Sequence, residues 1–212
     1  MGTEYALEVV VWVFIGLFSG SVPWALLITK MFVNNNIRAV GDGNPGTVNA
    51  WKSGGWTSGV PSLILEVSKG FMPVYFAIQN LGSPAGIMSQ FGFACVAVAP
   101  IVGHAWSPFL RFSGGKALAT TWGAWIAITG GVAFPVSCGF LILMHILQRN
   151  HAITVTFCVL GLVLVFLPLS AEPYVGVFGL ANLLIVIYKH KSEYSNGIEP
   201  RQWISRFAGR LT

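Results

Sequence analysis

This chain of 212 residues has few charged residues: Asp, Glu, Lys and Arg together make up 9% of it, whereas hydrophobic residues, counted as Ala, Val, Ile, Leu, Met, Phe, Trp, Tyr and Cys, make up 54%. Soluble globular domains carry roughly 25% charged residues. The mean hydropathy is +0.70. This composition excludes a soluble globular protein and predicts a chain embedded in lipid.

Cysteine is also scarce, and a basic N-terminal region is lacking. The three cysteines, Cys95, Cys138 and Cys158, fall inside apolar stretches, which indicates packing and excludes a disulfide framework or a cysteine metal site. Glu4 and Glu8 stand where a signal peptide would carry basic residues. The apolar segment after them is too long for a cleavable signal and is predicted to be the first transmembrane helix.

Charge-free windows predict the helices, since a helical crossing takes about 20 apolar residues. Turn residues near 80–84 and at 129–131 divide two of the windows. The chain is therefore expected to be all-α, one polytopic domain over residues 1–212 with seven transmembrane helices. The expected helices lie in residues 9–29, 59–77, 86–102, 117–148 (two helices), 150–171 and 173–188.

The basic residues predict the orientation. Two short helices within 117–148 keep every basic residue except Lys69 on one side, which the positive-inside tendency makes the cytoplasm. We expect the N-terminus outside, the C-terminus in the cytoplasm, and an amphipathic tail that contacts anionic lipid headgroups. The basic residues of that tail are Arg201, Arg206 and Arg210.

The densest cluster of unusual residues spans 37–52. Glycine-rich turns expose backbone N–H groups that can bind an anion, and basic side chains at both ends add positive charge. An ordinary loop made of turn residues is the alternative. The candidate binding residues are Arg38, Gly41, Asp42, Gly43, Asn44, Gly46, Asn49 and Lys52.

A second cluster combines His104 with the run Gly114-Gly115-Lys116, which leads directly into an apolar segment. Free N–H groups, the positive end of a helix dipole and an ammonium then converge, which favours phosphate. The pattern is not a Walker A loop, because Ala117 follows the lysine. The alternative is a lysine that merely marks the inner end of a span.

Two further groups are candidates. Lys69 lies in an apolar helix three residues after Glu66, and ionisable residues at membrane depth are functional candidates, although a structural ion pair is the alternative. His190 lies between two lysines where the last span ends, and an interfacial cluster is the alternative there. Serine-elbow and zinc-protease motifs are absent, as is a His-x4-Asp acyltransferase box. No covalent nucleophile is therefore predicted.

These motifs together resemble the integral-membrane acyl-phosphate:glycerol-3-phosphate acyltransferases of bacterial phospholipid synthesis. The resemblance covers nearly the whole chain, and the order and spacing of its short pieces make it specific. The matching pieces are Gly20-Ser21-Val22-Pro23 with Lys30, Arg38-x-x-Gly-x-Gly-Asn44-Pro45-Gly46-x-x-Asn49, Glu66-x-x-Lys69-Gly70, Gly103-His104 with Pro108, Gly114-Gly115-Lys116-x-x-Ala119-Thr120, and Tyr188-Lys189-His190-Lys191.

The resemblance implies transfer of a fatty acyl group from acyl phosphate to the 1-hydroxyl of sn-glycerol 3-phosphate, in the bacterial cytoplasmic membrane and at its cytoplasmic face. The products are lysophosphatidic acid and inorganic phosphate. The protein is expected to be surrounded by membrane lipid. No cofactor, metal or nucleic acid is expected to bind it. The oligomeric state is left open.

The resemblance also implies site roles. Lys116 with Gly114 and Gly115 is expected to bind one phosphate. His104 and His190 are candidates for hydrogen bonding or proton transfer, and Lys69 is a supporting charge. The glycine loop is expected to position the other phosphate and the glycerol, with Asn44, Asn49 and Lys52; Ser21 and Thr120 complete the matched binding positions.

Four residues depart from the family pattern: Asp42 replaces Ser, Lys52 replaces Arg, Ala117 replaces Gly, and Glu193 replaces Asn. A carboxylate repels phosphate, and Lys lacks the bidentate fork of Arg. One hypothesis is a working acyltransferase in which Arg38 or Lys52 neutralises Asp42. The alternatives are the same fold acting on another phosphorylated acceptor or without catalysis, and a small anion transporter.

Overall fold

The structure, a computed structural model, describes residues 2–82 and 86–203. Over these residues it is all-helical, apart from an isolated bridge between Gln148 and Pro200, so the all-α expectation is confirmed. Ser83 and Pro84, within the turn predicted near 80–84, and Arg206 and Arg210 of the predicted tail lie outside the described residues. The α-helices are α1 (Thr3–Ser21), α2 (Trp24–Val33), α3 (Thr47–Leu81), α4 (Ile87–Ala105), α5 (Leu118–Ile128), α6 (Ala133–Leu147), α7 (His151–Leu169) and α8 (Tyr174–Lys189).

Within the described part of the chain, three stretches are long and apolar enough to cross a membrane, and three shorter apolar helices accompany them. The predicted break inside 117–148 is present, because α5 ends at Ile128 and α6 begins at Ala133. Gly130 and Gly131 between them have φ of +60° and +98°, values that favour glycine. The long stretches are Thr3–Val33, Ile87–Leu110 and His151–Leu169.

The first apolar segment is not the single helix that the sequence predicted, because it breaks between α1 and α2. Pro23 has no backbone N–H and disrupts a continuous helix. Two charged side chains of α3 bind backbone groups beside the break: Lys69 Nζ donates to the Val22 carbonyl at 2.8 Å, and Glu66 Oε1 accepts from the Ala25 N–H at 3.0 Å. The Glu66 and Lys69 charges therefore stabilise the break.

Helix α3 runs further in both directions than the predicted 59–77. It is kinked at Gly54 and Gly55, where the backbone leaves helical geometry and Gly55 has φ of +59°. A side chain at Gly55 is disfavoured by that φ. The kink separates a first part, which begins at Thr47 directly after the glycine loop, from the apolar part that carries Glu66.

Helices α1 and α4 touch through glycines. A Cβ on Gly20 would overlap the backbone of Pro100, and one on Gly103 would overlap the Leu17 carbonyl. Small residues allow the backbones of membrane helices to approach this closely. The contact fixes the end of α4, where His104 lies, against the end of α1.

Helices α3 and α5 form a second close pair. A Cβ on Gly123 would overlap the Val67 carbonyl, and one on Gly70 would overlap the Thr120 carbonyl. Because the two helices are held at backbone contact, the start of α5 is fixed relative to Glu66 on α3. The loop before α5 contains Lys116.

The interior between α5 and α8 holds polar groups that satisfy one another. Trp125 Nε1 donates to Asn182 Oδ1 at 3.0 Å, and Asn182 Nδ2 donates to Thr121 Oγ1 at 2.9 Å. The Trp125 ring also packs against Phe178 and Phe166, with centroids 4.9 Å and 5.9 Å away. Burying these groups is favourable because each of the two donors has a partner.

Replacing Gly123 with valine is expected to destabilise the protein by at least about 2 kcal/mol, because the new side chain overlaps the backbone of α3 rather than a movable side chain. Gly139→Val on α6 is the matched control, since a Cβ at Gly139 has no heavy atom within 4 Å. Thermal unfolding of both variants in detergent checks this. Equal melting temperatures would contradict the close packing of α3 on α5.

Candidate active site

Two loops meet at one end of the helices: the glycine loop, residues 40–46 before α3, and the Gly-Gly-Lys turn, residues 114–116 before α5. Arg38 joins them, since its Nη2 donates to the Ser113 carbonyl at 2.9 Å. Arg38 itself lies in a short 3₁₀ turn, Ile37–Ala39. The two clusters that the sequence singled out are thus brought together by the fold.

The glycine loop depends on backbone geometry that only glycine adopts easily. Gly41 has φ of +61° and Gly43 has φ of +73°, and the Gly43 N–H donates to the Val40 carbonyl at 3.1 Å. A Cβ at Gly41 would meet the Asn49 side chain and lie 3.1 Å from Lys52 Nζ. Asn49 and Lys52 on the first turns of α3 therefore border this loop directly.

Asp42 lies at the centre of the loop and is held on several sides. Its Oδ1 accepts from the Asn44 N–H at 3.2 Å and from Asn49 Nδ2 at 2.7 Å, while its Oδ2 accepts from Lys116 Nζ. Partial burial raises the pKa of this carboxyl, but the hydrogen bonds from Lys116, Asn49 and Asn44 outweigh that and lower the pKa to about 2. Asp42 is therefore ionised at neutral pH.

The expected partners of Asp42 were wrong. The hypothesis named Arg38 or Lys52, whereas Arg38 donates to the Ser113 carbonyl and Asp42 pairs with Lys116. Asp42 pairs with Lys116 because the packing of α5 on α3 brings the Gly-Gly-Lys turn over the glycine loop. The base that neutralises Asp42 is the same lysine that was expected to bind phosphate.

Lys116 contacts two carboxylates, because its ammonium also pairs with Glu193. Burial lowers the pKa of Lys116, but the hydrogen bonds to Asp42 and Glu193 raise it above its usual value. Immediately after it, α5 begins with Ala117 as N-cap at φ of +62° and without a side-chain cap. The first N–H groups of a helix have no intrahelical partner, so the start of α5 offers donors beside the ammonium.

The two glycines of the turn pack against the end of α4. The Gly115 N–H donates to the His104 carbonyl at 3.2 Å. A Cβ at Gly115 would overlap His104 Nε2 and lie 3.2 Å from Asn44 Oδ1, and one at Gly114 would overlap the His104 carbonyl. Lys189 at the end of α8 also donates to the Gly114 carbonyl at 3.3 Å. His104, Gly115 and Asn44 therefore border one small space.

His104 is oriented by a buried charge. Its Nδ1 lies 3.0 Å from Glu66 Oε2, and the same oxygen lies 2.7 Å from Lys69 Nζ. The carboxylate favours the tautomer with the proton on Nδ1, which leaves Nε2 as the acceptor that faces Gly115. Lys69, expected as a supporting charge, pairs with Glu66 and donates to the Val22 carbonyl, and its ammonium bonds neither loop among the described residues.

His190 follows α8 and is fully buried. Its Nδ1 donates to the Val186 carbonyl at 2.8 Å, and its Nε2 has no hydrogen-bond partner among the described residues. Burial lowers the pKa of this imidazole. Its ring lies 6.0 Å from that of His151, centroid to centroid, and no hydrogen bond in the described part of the chain joins its side chain to either loop.

The described contacts do not bring Ser21 and Thr120 into this cluster, although both were matched as binding positions. Ser21 Oγ donates to the Leu17 carbonyl at 2.6 Å within α1. Thr120 Oγ1 donates to the Glu66 carbonyl at 3.3 Å, where α5 packs on α3. The Thr120 hydroxyl therefore joins two helices, and the Ser21 hydroxyl bonds the backbone of its own helix. Gly46 remains at the loop as the N-cap of α3.

Sequence reasoning missed two site residues. Glu66 was recognised only as the partner of Lys69, and Glu193 only as a departure from a pattern. An acidic residue in an apolar helix signalled Glu66, because a buried carboxylate needs several partners. For Glu193 no local signal exists, since the pair with Lys116 joins residues that are distant in sequence.

The arrangement combines groups that attract an anion with a group that can accept a proton. It offers the Lys116 ammonium, the uncapped N–H groups at the start of α5, the backbone of the glycine loop and the His104 imidazole as an acceptor. In the described residues, no group of three or more His, Cys, Asp or Glu side chains could hold a metal ion. These groups can bind phosphate and accept a proton. Direct transfer of a group from one oxygen to another requires both capacities.

Comparison with known proteins points to a group-transfer enzyme, in agreement with the chemical groups of this candidate site. Residues 10–199 match the family described as glycerol-3-phosphate acyltransferase. The chain is 33% identical to glycerol-3-phosphate acyltransferase 1 of Thermotoga maritima, over 84% of this chain and 92% of that protein. It is 31% identical to the glycerol-3-phosphate acyltransferase of Endomicrobium trichonymphae, over 90% of this chain and 92% of that protein.

Two crystal structures share the fold, both of PlsY (YgiH), an integral membrane glycerol 3-phosphate acyltransferase. Its glycerol 3-phosphate form has a TM-score of 0.76 and 21% identity, covering 94% of this chain and 98% of that one. Its lysophosphatidic acid form has a TM-score of 0.73 and 24% identity, covering 88% and 90%. The extent of the family match confirms the resemblance and the enzyme class: the chain belongs to the glycerol-3-phosphate acyltransferase family.

Proposed function

We propose that this protein transfers a fatty acyl group from acyl phosphate to the 1-hydroxyl of sn-glycerol 3-phosphate, giving lysophosphatidic acid and inorganic phosphate. The observation that carries the proposal is the meeting of Lys116, the uncapped start of α5 and the His104 ring at one place. An acyl phosphate is a mixed anhydride and needs no further activation. Positioning and electrostatic stabilisation are then sufficient for the transfer.

The two phosphates are held by different parts of the site. Lys116 and the N–H groups at the start of α5 bind one of them, because the ammonium and the helix dipole both favour an anion. The glycine loop positions the other phosphate and the glycerol. Lys52 supports this role, since its side chain is exposed beside Gly41, and Asn44 supplies an amide group. Asn49 acts indirectly, because its Nδ2 already donates to Asp42 and to the Asn44 carbonyl and holds the loop in shape.

The proposed transfer forms one ester bond and breaks one anhydride bond. The 1-hydroxyl oxygen attacks the acyl carbonyl carbon and forms the new ester bond, while its proton passes to His104 Nε2. The bond between the carbonyl carbon and the bridging phosphate oxygen breaks, and its electron pair stays on that oxygen. Glu66 stabilises the imidazolium that forms, because its carboxylate lies 3.0 Å from Nδ1. His104 returns the proton to the departing phosphate.

The proposed setting is a bacterial cytoplasmic membrane. The apolar composition and the long apolar helices support an embedded chain, and positive-inside reasoning supports seven spans, an N-terminus outside and a C-terminus in the cytoplasm. Residues 1–212 then form one domain whose two loops face the cytoplasm. Glycerol 3-phosphate approaches from water, and acyl phosphate and membrane lipid meet the lipid-facing helices.

Apolar side chains beside the Gly-Gly-Lys turn give the acyl chain a route to the site. Phe109 and Phe112 are 58% and 67% exposed, and both precede Ser113 by only a few residues. Such exposed apolar surface mixes readily with lipid tails. An acyl phosphate can therefore keep its chain in the bilayer while its head group reaches Lys116.

The reaction is tested with purified protein in detergent or lipid, supplied with palmitoyl phosphate and glycerol 3-phosphate. Lysophosphatidic acid and inorganic phosphate are both measured, with a sample lacking acceptor as control. We expect equal amounts of both products, formed only when the acceptor is present. Phosphate release without acceptor would indicate hydrolysis, and folded protein that forms neither product would favour another acceptor or a non-catalytic role.

Lys116→Ala is expected to lower kcat/KM by at least about 100-fold, because it removes the ammonium that binds phosphate while the backbone of α5 remains. Arg149→Ala is the matched control: Arg149 is exposed between α6 and α7, outside both loops and outside the matched motifs. Its activity should stay within about twofold of the parent. If Lys116→Ala kept the turnover of the parent, the proposed binding of phosphate by the Lys116 ammonium would be wrong.

His104→Gln is expected to lower kcat by about 10²- to 10⁴-fold with little change in KM for glycerol 3-phosphate, since the proton acceptor is lost and the phosphate contacts remain. His145→Gln serves as control, because the one hydrogen bond of the His145 ring within the described part of the chain is to the Leu141 carbonyl of its own helix. Steady-state kinetics separate the two parameters. A rise in KM at constant kcat would assign His104 to binding instead.

A further inference from the structure

The described residues present a conflict at Lys116. The proposed function needs this ammonium for phosphate, yet it is paired with Asp42 and with Glu193. Two carboxylates and one ammonium sum to a net negative charge, which repels a phosphate anion. At least one of the carboxylates must leave the ammonium before phosphate can bind it closely.

Asp42 is the fixed member of this group. Besides Lys116, its carboxylate accepts hydrogen bonds from the Asn44 N–H and from Asn49 Nδ2. Asn49 Nδ2 also donates to the Asn44 carbonyl at 2.9 Å, which ties the same loop together. Moving Asp42 would break several bonds at once and open the glycine loop. Asp42 therefore remains in place as a structural anion.

Glu193 is the removable member. Among the described residues its carboxylate has one partner, Lys116, whereas the Asp42 carboxylate has three. Water reaches both carboxylates, since the side chains of Glu193 and Asp42 are 26% and 49% exposed, so the number of bonds distinguishes them and exposure does not. Rotation of one side chain is then enough to free the ammonium on that side.

The backbone that carries Glu193 is anchored independently. Asn150 Nδ2 donates to the carbonyls of Glu193 and Gly197 at 3.0 Å and 2.9 Å, and the hydroxyls of Tyr194 and Thr156 are hydrogen-bonded. These bonds tie the segment after α8 to the start of α7. The Glu193 carboxylate can leave Lys116 without unfolding this segment and stays close enough to return.

We propose that Glu193 is an internal anion that occupies a phosphate position on Lys116 in the empty site and exchanges with the phosphate of the ligand. It is thus a residue that sets the affinity of the site for phosphate, in addition to the binding groups themselves. This inference rests on the proposed function for its catalytic meaning. The exchange itself is a binding property of the protein and is measurable without turnover.

The exchange has two consequences for the reaction. Glu193 competes with glycerol 3-phosphate and with inorganic phosphate for the same ammonium, so it weakens the binding of both. When it returns to Lys116 it also replaces the leaving phosphate, which favours product release. Removing its charge is expected to strengthen both phosphate ligands while slowing the release of phosphate.

The test measures the binding of inorganic phosphate to purified Glu193→Gln by isothermal titration calorimetry. Glutamine keeps the size of the side chain and removes its charge, so Kd for phosphate is expected to fall about three- to tenfold. Glu199→Gln is the matched control, because Glu199 lies in the same segment and forms no ion pair with the described residues; its Kd should match that of the parent. Glu193→Asn, neutral and shorter, should change Kd in the same direction.

Activity measurements add an independent readout. Glu193→Gln is expected to show a lower KM for glycerol 3-phosphate and stronger inhibition by inorganic phosphate, each by the same factor as Kd. An unchanged or weaker phosphate affinity in both folded variants would overturn the exchange and leave the pair as a structural contact. Tighter phosphate binding in a protein that transfers no acyl group would support the exchange while rejecting the proposed function.

Discussion

The buried carboxylate of Glu66 is the constraint on which the rest of the structure depends. Removing charges from water is costly, and a buried ion pair is stable only when further hydrogen bonds satisfy both groups. Here those bonds come from the break between α1 and α2, since Glu66 accepts the Ala25 N–H and Lys69 donates to the Val22 carbonyl. The same carboxylate also holds the His104 ring. One side chain therefore joins a helix break to the candidate proton acceptor.

Glycine contacts transmit this constraint to the loops. Gly20 and Gly103 hold α4 against α1, and Gly70 and Gly123 hold α5 against α3. The end of α4 and the start of α5 are thereby fixed relative to Glu66, and they carry the His104 imidazole and the Gly-Gly-Lys turn. Because the contacts involve backbone atoms, the loops rest on a frame that has little freedom to shift.

Much of this could be predicted from the sequence, and the failures share a cause. Charge-free windows and turn glycines located the helix ends at 128–133, and the glycine clusters located both loops. The break at Pro23 was missed because apolar residues continue on both sides of it, so hydropathy gives no signal there. The predicted partners of Asp42 were wrong because its actual partner, Lys116, lies 74 residues away in the sequence. Pairings set by helix packing leave no mark on local patterns, and the pair with Glu193 is another such case.

The Gly-Gly-Lys turn has a geometric consequence. His104 contributes both its ring and its backbone carbonyl to this place, and the carbonyl accepts from the N–H of Gly115, the residue next to Lys116. The spacing between the imidazole and the turn that carries Lys116 is therefore set by backbone atoms of the helix frame and not by side-chain rotation. Under the proposed function, a spacing fixed in this way favours acceptors of one length.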